Sequence, residues 1–269
     1  MTTTLQPAPP ASVRMAISGT LVERRDAAEV LTIIDAHLRR GEPTGLAVGS
    51  VNLDHLHHFR KRTVVPSGRI GWLLLADGMP ICWRGQLLTG RDWPRVTGAD
   101  LLPEVLAAAD EMGWRVGFFG GSAESHRLLT QQVRARYPKL VISGMWAPNP
   151  DDIDRRSGEF AAQISAARTD ILVVSLGKPR QEQWIDRYGD ATGSRVFLPF
   201  GGAIDLLGGR IRRAPMWMQR CGLEWLYRFS REPRRLARRY LLQGPISLVR
   251  ASRAQLICYP GVPYRGTSV

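Results

Sequence analysis

Asp77 ends a wholly apolar run and is followed by glycine, in the stretch LLLADGMP. A carboxylate at the end of a buried strand can take a proton from an attacking hydroxyl group, provided that the two lie within hydrogen-bond reach. The same Asp-Gly pair is also ordinary turn chemistry, because both residues favour tight turns. Asp77 is therefore a candidate general base, and a simple turn is the alternative interpretation.

A second candidate is the stretch GFFGGSAES, which is typical of a strand, a glycine turn and the start of a helix. Gly120 and Gly121 allow backbone N–H groups to approach a phosphate, and the start of the following helix favours an anion. The stretch is not GxGxxG, which argues against a nicotinamide-dependent oxidoreductase. A tight turn without a ligand is the alternative here.

The stretch LGKPRQEQW places Lys178, Arg180 and Gln181 directly after another apolar run. Pro179 suits the first turn of a helix. A cation and an amide donor at such a turn suit a sugar diphosphate, whereas the alternative is a set of surface residues at the start of a helix.

Metal ligation is weakly supported. Asp152 and Asp154 have the DxD spacing that can hold a divalent cation beside a diphosphate, but they lie at the start of a predicted helix, where acids cap the N-terminus. Three histidines share one helical stretch without a carboxylate or cysteine partner: His55, His57 and His58. Three cysteines lie far apart and outside any CxxC spacing: Cys82, Cys221 and Cys258. We expect no metal and no disulfide.

These candidates need a common scaffold, and apolar runs alternating with helical patterns supply one. Strands are predicted at 45–51, 70–76, 116–120, 140–143, 171–176 and 196–200, and helices near 26–40, 98–112, 123–136, 154–167 and 180–187. Such alternation predicts an α/β fold, with a mostly parallel sheet covered by helices on both faces. Ligands of these sheets bind at the carboxyl ends of the strands, where the candidate residues gather.

Residues 209–253, called the arginine segment below, contain twelve arginines and two acids, and so carry ten of the thirteen net positive charges. Trp, Leu, Tyr and Phe residues are interleaved with the arginines, which makes the segment amphipathic. An anionic membrane surface fits this pattern. Nucleic acid and a structural hairpin with partly buried arginine stems are the alternatives.

The composition predicts four regions: a disordered N-terminus at 1–12, a catalytic domain at 13–208, a basic amphipathic appendage at 209–258 and a disordered tail at 259–269. From Pro215 onward the pattern is helical, with a predicted break at Gly244 and Pro245. No apolar run approaches the roughly 18 to 20 residues that span a bilayer, and no signal peptide is recognisable. We expect a cytoplasmic protein that touches the membrane peripherally.

Six motifs together resemble the WecG/TagA/CpsF glycosyltransferase family. They are RVTGADL, GFFGG, LGKPRQEQW, FGGAID, RRAPMW and GLEWLYRFSREPRR, in the order and spacing of that family, across about residues 45–245. The resemblance implies a Rossmann-like, inverting transferase that needs no metal or other cofactor. Such an enzyme moves a sugar from a UDP-sugar to a polyprenyl-diphosphate-linked acceptor at the cytoplasmic face of the membrane, for cell-surface polysaccharide synthesis.

The resemblance also implies roles for individual residues. Asp77 matches the family's base, Arg95 and Gln181 match sugar-pocket positions, and Asn52 matches a third polar position. Ser50 stands where the family usually has threonine, so the hydroxyl is kept and the methyl is lost. Further positions match groups around the nucleotide and diphosphate: Asp205, and the arginines Arg228, Arg235 and Arg238. With no metal, these guanidinium groups, the glycine turn and Lys178 would hold the diphosphate.

A nucleic-acid-binding module is disfavoured, because the arginine segment lacks a recognisable nucleic-acid-binding motif and the nucleotide-type sheet would have no role. The donor sugar stays open among N-acetylmannosamine, its uronic acid, glucose, galactose and glucuronic acid. The acceptor glycan stays open as well, and so does assembly into a homo-oligomer.

Overall fold

The computed structural model describes residues 13–41, 44–59 and 69–258, without the side chains of Arg220, Arg235 and Cys258. Its strands are β1 (Val13–Ile17), β2 (Thr20–Glu23), β3 (Gly45–Val51), β4 (Ile70–Ala76), β5 (Arg115–Gly120), β6 (Val141–Trp146), β7 (Ile171–Ser175), β8 (Val196–Leu198) and β9 (Gln255–Cys258). Its first helices are α1 (Ala27–Arg40), α2 (Leu53–His58), α3 (Met79–Thr89), α4 (Gly98–Met112), α5 (Ala123–Arg136), α6 (Pro150–Ala166), α7 (Arg180–Thr192) and α8 (Ala203–Leu207).

The nine strands form one sheet in the order β6-β5-β7-β8-β3-β4-β2-β1-β9. All neighbours from β6 to β2 are parallel. Strand β1 runs antiparallel to both β2 and β9 at one edge. The predicted α/β class with a mostly parallel sheet is confirmed, and the antiparallel edge was not predicted.

Alternate residues of each strand enter opposite layers of the core, as the two-residue period of a strand requires. Leu46 and Val48 of β3 pack in a layer with side chains of α1, α4 and α5. Ala47, between them, faces a second layer that holds Trp184 of α7 and aromatic residues of α6 and β5. Both faces of these strands are buried, which explains why they are continuously apolar in the sequence.

Three helices that begin at the carboxyl end of the sheet are capped by side chains. Asn52 accepts a hydrogen bond from the backbone of His55 and begins α2. Thr97 caps α4 in the same way, and Ser122 caps α5. Asn52 and Ser122 directly follow a strand or its turn, while Thr97 follows α3 and is held near the end of β4 because the Val96 N–H donates to the Ala76 carbonyl. The polar residues of the caps therefore stay at this edge of the sheet.

The arginine segment folds into short helices and a π-helical turn. They are α9 (Met216–Arg220), α10 (Glu224–Arg231), α11 (Pro233–Ala237), the π-helical segment Arg238–Gln243 and α12 (Gly244–Ser252). The predicted break at Gly244 and Pro245 is wrong, because the π-helical segment continues directly into α12. Proline has no N–H to donate, and the wider π turn, in which Gly244 donates to the Arg239 carbonyl, carries the chain past it.

The chain returns to the sheet after the arginine segment. Ala251 and Ala254 are buried against Met15 and Ile17 of β1, and β9 pairs with β1 from Gln255 to Cys258. The predicted disordered ends, 1–12 and 259–269, lie outside the described residues, and the predicted domain boundaries stay predictions. Within the ranges described, no helix is both long and apolar enough to cross a membrane.

Candidate active site

Asp77 lies directly after β4 and is held by two donors from the end of β3. The Nδ2 amide of Asn52 donates to Asp77 Oδ2 at 2.9 Å, and the Ser50 hydroxyl donates to the same oxygen at 3.2 Å. The backbone N–H of Asp77 donates to the Val51 carbonyl at 2.9 Å. The adjacent parallel strands β3 and β4 therefore bring together three residues predicted to share a site.

Lys178, in the turn before α7, is largely buried and contacts the backbone of the same group. Its ammonium donates to the Ser50 carbonyl at 2.5 Å and lies 3.4 Å from His55 Nδ1 and 3.3 Å from Glu182 Oε1. His55 is fully buried, and this burial, together with the nearby Lys178 charge, lowers the pKa of its imidazole well below the ordinary value. A neutral imidazole can accept a hydrogen bond from the lysine ammonium at Nδ1, so the contact with His55 is favourable.

Gln181 is buried, with 1% of its surface exposed. Its Nε2 donates to the Pro199 carbonyl at 2.6 Å and to Glu182 Oε1 at 3.1 Å. Its Oε1 has no hydrogen-bond partner, and a Cβ at Gly201 would lie only 2.8 Å from that atom. The amide group thus supports the loop after β8 from inside, while its predicted contact with the sugar stays a prediction.

The glycine turn after β5 depends on residues without a Cβ. Gly120 and Gly121 have φ angles of +90° and +76°, in the left-handed region that favours glycine. A Cβ at Gly120 would lie 2.6 Å from the Ser175 carbonyl oxygen, which accepts a hydrogen bond from the Gly121 N–H at 3.0 Å. The turn therefore packs tightly against the end of β7 and leads directly to the N-terminus of α5.

Asp205 of α8 lies beside that turn. Its Oδ1 accepts a hydrogen bond from the Ser125 hydroxyl at 2.6 Å and pairs with Arg210 at 3.2 Å. Ser125 is also in contact with the Ser122 hydroxyl at 2.8 Å. The predicted nucleotide-side aspartate and the predicted glycine turn therefore form one polar group at the start of α5.

Glu224 of α10 connects two arginines that are distant in sequence. Its carboxylate accepts from Arg95 Nη1 at 3.4 Å and from Arg228 Nη2 at 2.8 Å. Arg228 is therefore linked to Arg95 through Glu224, while its side chain stays partly exposed. Arg238 is exposed, and the side chain of Arg235 lies outside the described residues.

A second contact fixes the arginine segment to α4. Arg213 pairs with Asp100 through both guanidinium nitrogens. The hydrogen bonds to Asp100 raise the pKa of Arg213, and the nearby carboxylates of Glu224 and Asp77 add to this rise. Asp77 and the arginine segment are thus close enough to interact electrostatically.

Cys82 of α3 is not a nucleophile in this site. Burial raises the pKa of its thiol to about 12, and the nearby Asp77 carboxylate adds to the rise. Because the thiolate is the reactive form, a thiol with such a pKa is inert at neutral pH.

The candidate metal ligands do not converge in the described part of the chain, which holds no group of three or more His, Cys, Asp or Glu suited to an ion. Helix α6 begins earlier than predicted, so Asp152 lies in its first turn and pairs with Arg155 at 3.5 Å. His58 lies 3.7 Å from Asp54, while His55 contacts Lys178. These positions agree with the helix-terminus and packing interpretations.

The order of these groups along the chain matches a known family. Residues 15–259 match the model of the glycosyl transferase WecG/TagA/CpsF family. The chain belongs to this family. The match extends through the arginine segment into β9, so it covers both the sheet and the helices of the arginine segment.

Two curated relatives are 30% identical to this chain over 165 residues. Both carry the name N-acetylglucosaminyldiphosphoundecaprenol N-acetyl-beta-D-mannosaminyltransferase, and they come from Bacillus subtilis (strain 168) and Bacillus spizizenii (strain ATCC 23059 / NRRL B-14472 / W23). The matched region is 61% of this chain and 63% of each relative.

Against this family background, the structure groups the predicted residues into three sets. Ser50, Asn52 and Asp77 form one, the glycine turn and Asp205 form another, and Arg95 joins Arg228 through Glu224. The sequence analysis missed Glu224 and Glu182, although each lies inside a quoted motif. The available signal for Glu224 was an acid that stands among many arginines, but its partner, Arg95, is 129 residues away.

Proposed function

We propose that this chain is a glycosyltransferase that moves N-acetylmannosamine, or a related hexose or uronic acid, from a UDP-sugar to a polyprenyl-diphosphate-linked acceptor. The observation that carries the proposal is the Asp77 carboxylate, held by Ser50 and Asn52 at the edge of the sheet where the glycine turn also lies. The family match and the names of the Bacillus relatives support the substrate class.

In the proposed reaction, Asp77 takes the proton of an acceptor hydroxyl group. The hydroxyl oxygen forms a bond to the anomeric carbon of the donor as the bond from that carbon to the diphosphate oxygen breaks. The electron pair of the broken bond stays on the β-phosphate of UDP. Attack occurs opposite the leaving group, so the anomeric configuration inverts. Ser50 and Asn52 both donate to one oxygen, Oδ2, which leaves Oδ1 for the acceptor.

The leaving diphosphate needs positive charge, and we propose that the protein supplies it without a metal ion. The glycine turn offers backbone N–H groups at the start of α5. Arg228 is linked to Arg95 through Glu224, and Arg235 and Arg238 follow in α11 and at the start of the π-helical segment. Guanidinium groups bind phosphate through two parallel hydrogen bonds, so they can stabilise the charge that develops on the β-phosphate.

The acceptor is a lipid, and we propose that the arginine segment places the enzyme on the inner face of the cell membrane. Trp217 is 61% exposed and Leu242 is 64% exposed, on α9 and the π-helical segment. Other large apolar side chains of the arginine segment are also exposed: Trp225, Leu226, Leu241, Ile246 and Val249. Exposed arginines accompany them: Arg231, Arg234, Arg238 and Arg253. Apolar and cationic groups together fit an anionic membrane better than nucleic acid.

The test is a transfer assay with a panel of UDP-sugars and a short-chain polyprenyl-diphosphate-N-acetylglucosamine acceptor, in the presence of a metal chelator. We expect transfer of one hexose unit, with inverted anomeric configuration in the product by NMR, and full activity with the chelator. Absence of transfer from every UDP-sugar, or loss of activity with the chelator, contradicts the proposal.

A further inference from the structure

The chain uses arginine almost everywhere, with 34 arginines and only three lysines. Lys139 is exposed, whereas the side chain of Lys178 is only 11% exposed. A lysine in this interior position, in a chain so rich in arginine, indicates that the site needs the particular shape of an ammonium group.

The contacts of Lys178 agree with that need. An ammonium group has three donors on one small nitrogen, and Lys178 meets three acceptors: the Ser50 carbonyl, His55 Nδ1 and Glu182 Oε1. A planar guanidinium has five donors in a rigid fork and requires more space. Lys178 therefore has no donor left for a phosphate in this arrangement, although the sequence predicted a diphosphate contact.

The three acceptors belong to elements that also hold the base. Ser50 gives its carbonyl to Lys178 and its hydroxyl to Asp77. His55 contacts Lys178 through its ring, while its backbone N–H donates to Asn52 Oδ1 at 3.1 Å. Asn52 in turn donates to Asp77 at 2.9 Å. Of the two donors that hold Asp77, Ser50 therefore contacts the Lys178 ammonium itself, and Asn52 is linked to it through His55.

We propose that Lys178 is a positioning residue for Asp77, in place of a diphosphate ligand. Its ammonium joins the end of β3 and the start of α2 to the turn before α7, and so fixes the Ser50 hydroxyl and the Asn52 amide against one carboxylate oxygen. This inference rests on the proposed function, because that function makes Asp77 the base. A base displaced by about 1 Å from the acceptor hydroxyl loses on the order of 100-fold in rate.

The experiment must keep the protein folded, because Glu182 is 1% exposed and would be left as a buried charge if Lys178 alone were removed. The main variant is therefore Lys178→Met/Glu182→Gln, which removes both charges and keeps side chains of similar length. Lys178→Arg is the second variant, and Lys139→Met at the exposed position is the matched control. A thermal unfolding curve shows that each variant is folded.

For the double variant we expect kcat to fall about 100-fold, with the KM of the UDP-sugar and the Kd of UDP changed less than roughly threefold. Lys178→Arg should not have the kcat of the wild type, because the guanidinium does not fit the three acceptors. If Lys178 bound the phosphate instead, Lys178→Arg would keep UDP affinity, since arginine binds phosphate well. Unchanged kcat, or UDP affinity at least tenfold weaker in the double variant and restored in Lys178→Arg, overturns the inference.

Amide hydrogen exchange supplies a readout that does not depend on activity. The His55 amide is bonded to Asn52 Oδ1, and we expect it to exchange roughly tenfold faster in the double variant than in Lys139→Met. If the wild-type protein transfers no sugar, the proposed function fails, and exchange at His55 still decides whether Lys178 holds this group. Equal exchange in the double variant and the control overturns the positioning role.

Discussion

At the carboxyl end of β3, one buried ammonium meets three acceptors, whereas along the arginine segment many guanidinium groups lie at the surface. Lys178 belongs to the first region, and Arg231 and Arg234 belong to the second. The buried cation has a fixed set of partners and orients neighbouring groups. The exposed cations keep their donors in water and can meet a ligand that arrives from outside. Under the two proposals above, these regions use positive charge for different purposes: one orders the site, and the other contacts an anionic partner.

The arginine segment itself divides in the same way. Arg213 and Arg228 are turned toward acids of the sheet domain and of α10, Asp100 and Glu224. Arg231 lies one turn beyond Arg228 and is exposed. Arg228 is exposed as well, but it is paired with Glu224, so single substitutions at the two positions compare an arginine linked to Arg95 with its exposed neighbour.

The largest effect is expected in the region around Lys178 and Asp77, from Asp77→Asn. The amide keeps the shape of the side chain but cannot take the proton of the attacking hydroxyl group, so kcat should fall by about 10³-fold to 10⁴-fold. Calorimetry should show unchanged UDP binding. Asp92→Asn is the control, because this exposed aspartate lies in the loop before Arg95. A kcat near that of the wild type in Asp77→Asn would remove Asp77 from the role of base.

A smaller effect is expected from Arg228→Ala, which removes the cation that pairs with Glu224 on α10. Turnover should fall about 100-fold, as for the loss of one group that stabilises developing negative charge. Arg231→Ala in the same helix should leave turnover with a short-chain soluble acceptor unchanged. Steady-state kinetics of the two variants measures the difference. Equal losses of turnover in both variants would mean that Arg228 and Arg231 do not have separate functions.

The exposed arginines Arg231 and Arg234 should control membrane binding. Each arginine near an anionic surface contributes about 1 kcal/mol, so Arg231→Ala/Arg234→Ala should weaken partition onto anionic liposomes by roughly 30-fold. High salt should reduce the binding of the wild type in the same direction, because it screens exposed charges. Flotation with anionic and neutral liposomes measures both effects. Binding to anionic liposomes that is insensitive to salt and to these substitutions would contradict a docking role.

The smallest effect concerns the contact between Arg213 and Asp100. Burial acts to raise the pKa of Asp100, but hydrogen bonds from Arg213 and Thr97 outweigh it and lower the pKa below its ordinary value. The pair therefore stabilises the folded state above the unfolded pKa of about 4, and this contribution is lost as the pH falls through the lower folded pKa. Solvent screens the pair, since Asp100 is partly exposed.

We therefore expect Asp100→Asn to lower the Tm by about 2–4 °C at pH 7. The difference from the wild type should shrink below pH 4, because the wild-type carboxylate is then protonated as well. Thermal unfolding at several pH values measures this. Asp35→Asn, at an exposed pair with Arg39 on α1, is the control and should show little change at any pH. A Tm difference that grows at low pH would contradict this account of the pair.

The long elements of the fold could be predicted because their patterns are local. Strands β3 and β4 match their predicted bounds, since both faces are buried and the runs are wholly apolar. Strands β1, β2 and β9 were missed. They are four or five residues long and lie at the edge of the sheet, where alternation over so few residues is a weak signal.

The candidate site was partly predictable for the same reason. Residues that directly follow long strands, such as Asp77 and Gly120, could be placed at one edge of the sheet from the pattern alone. The direction of Lys178 could not be predicted, because a turn residue can face the ligand or the interior with the same spacing. The pairing of Arg95 with Glu224 joins residues 129 positions apart, and one sequence gives no signal of such a contact.

The pairing of β9 with β1 gives the arginine segment a second point of attachment. The segment leaves the sheet after β8 and α8 and returns to it at Gln255, so it is a loop closed at both ends. A loop of this kind searches only a small volume, which would keep Arg228 and its neighbours at a high local concentration around the proposed diphosphate site even in solution. Contact with a membrane would then orient the whole sheet, because the surface that binds cannot rotate independently of the edge that carries Asp77.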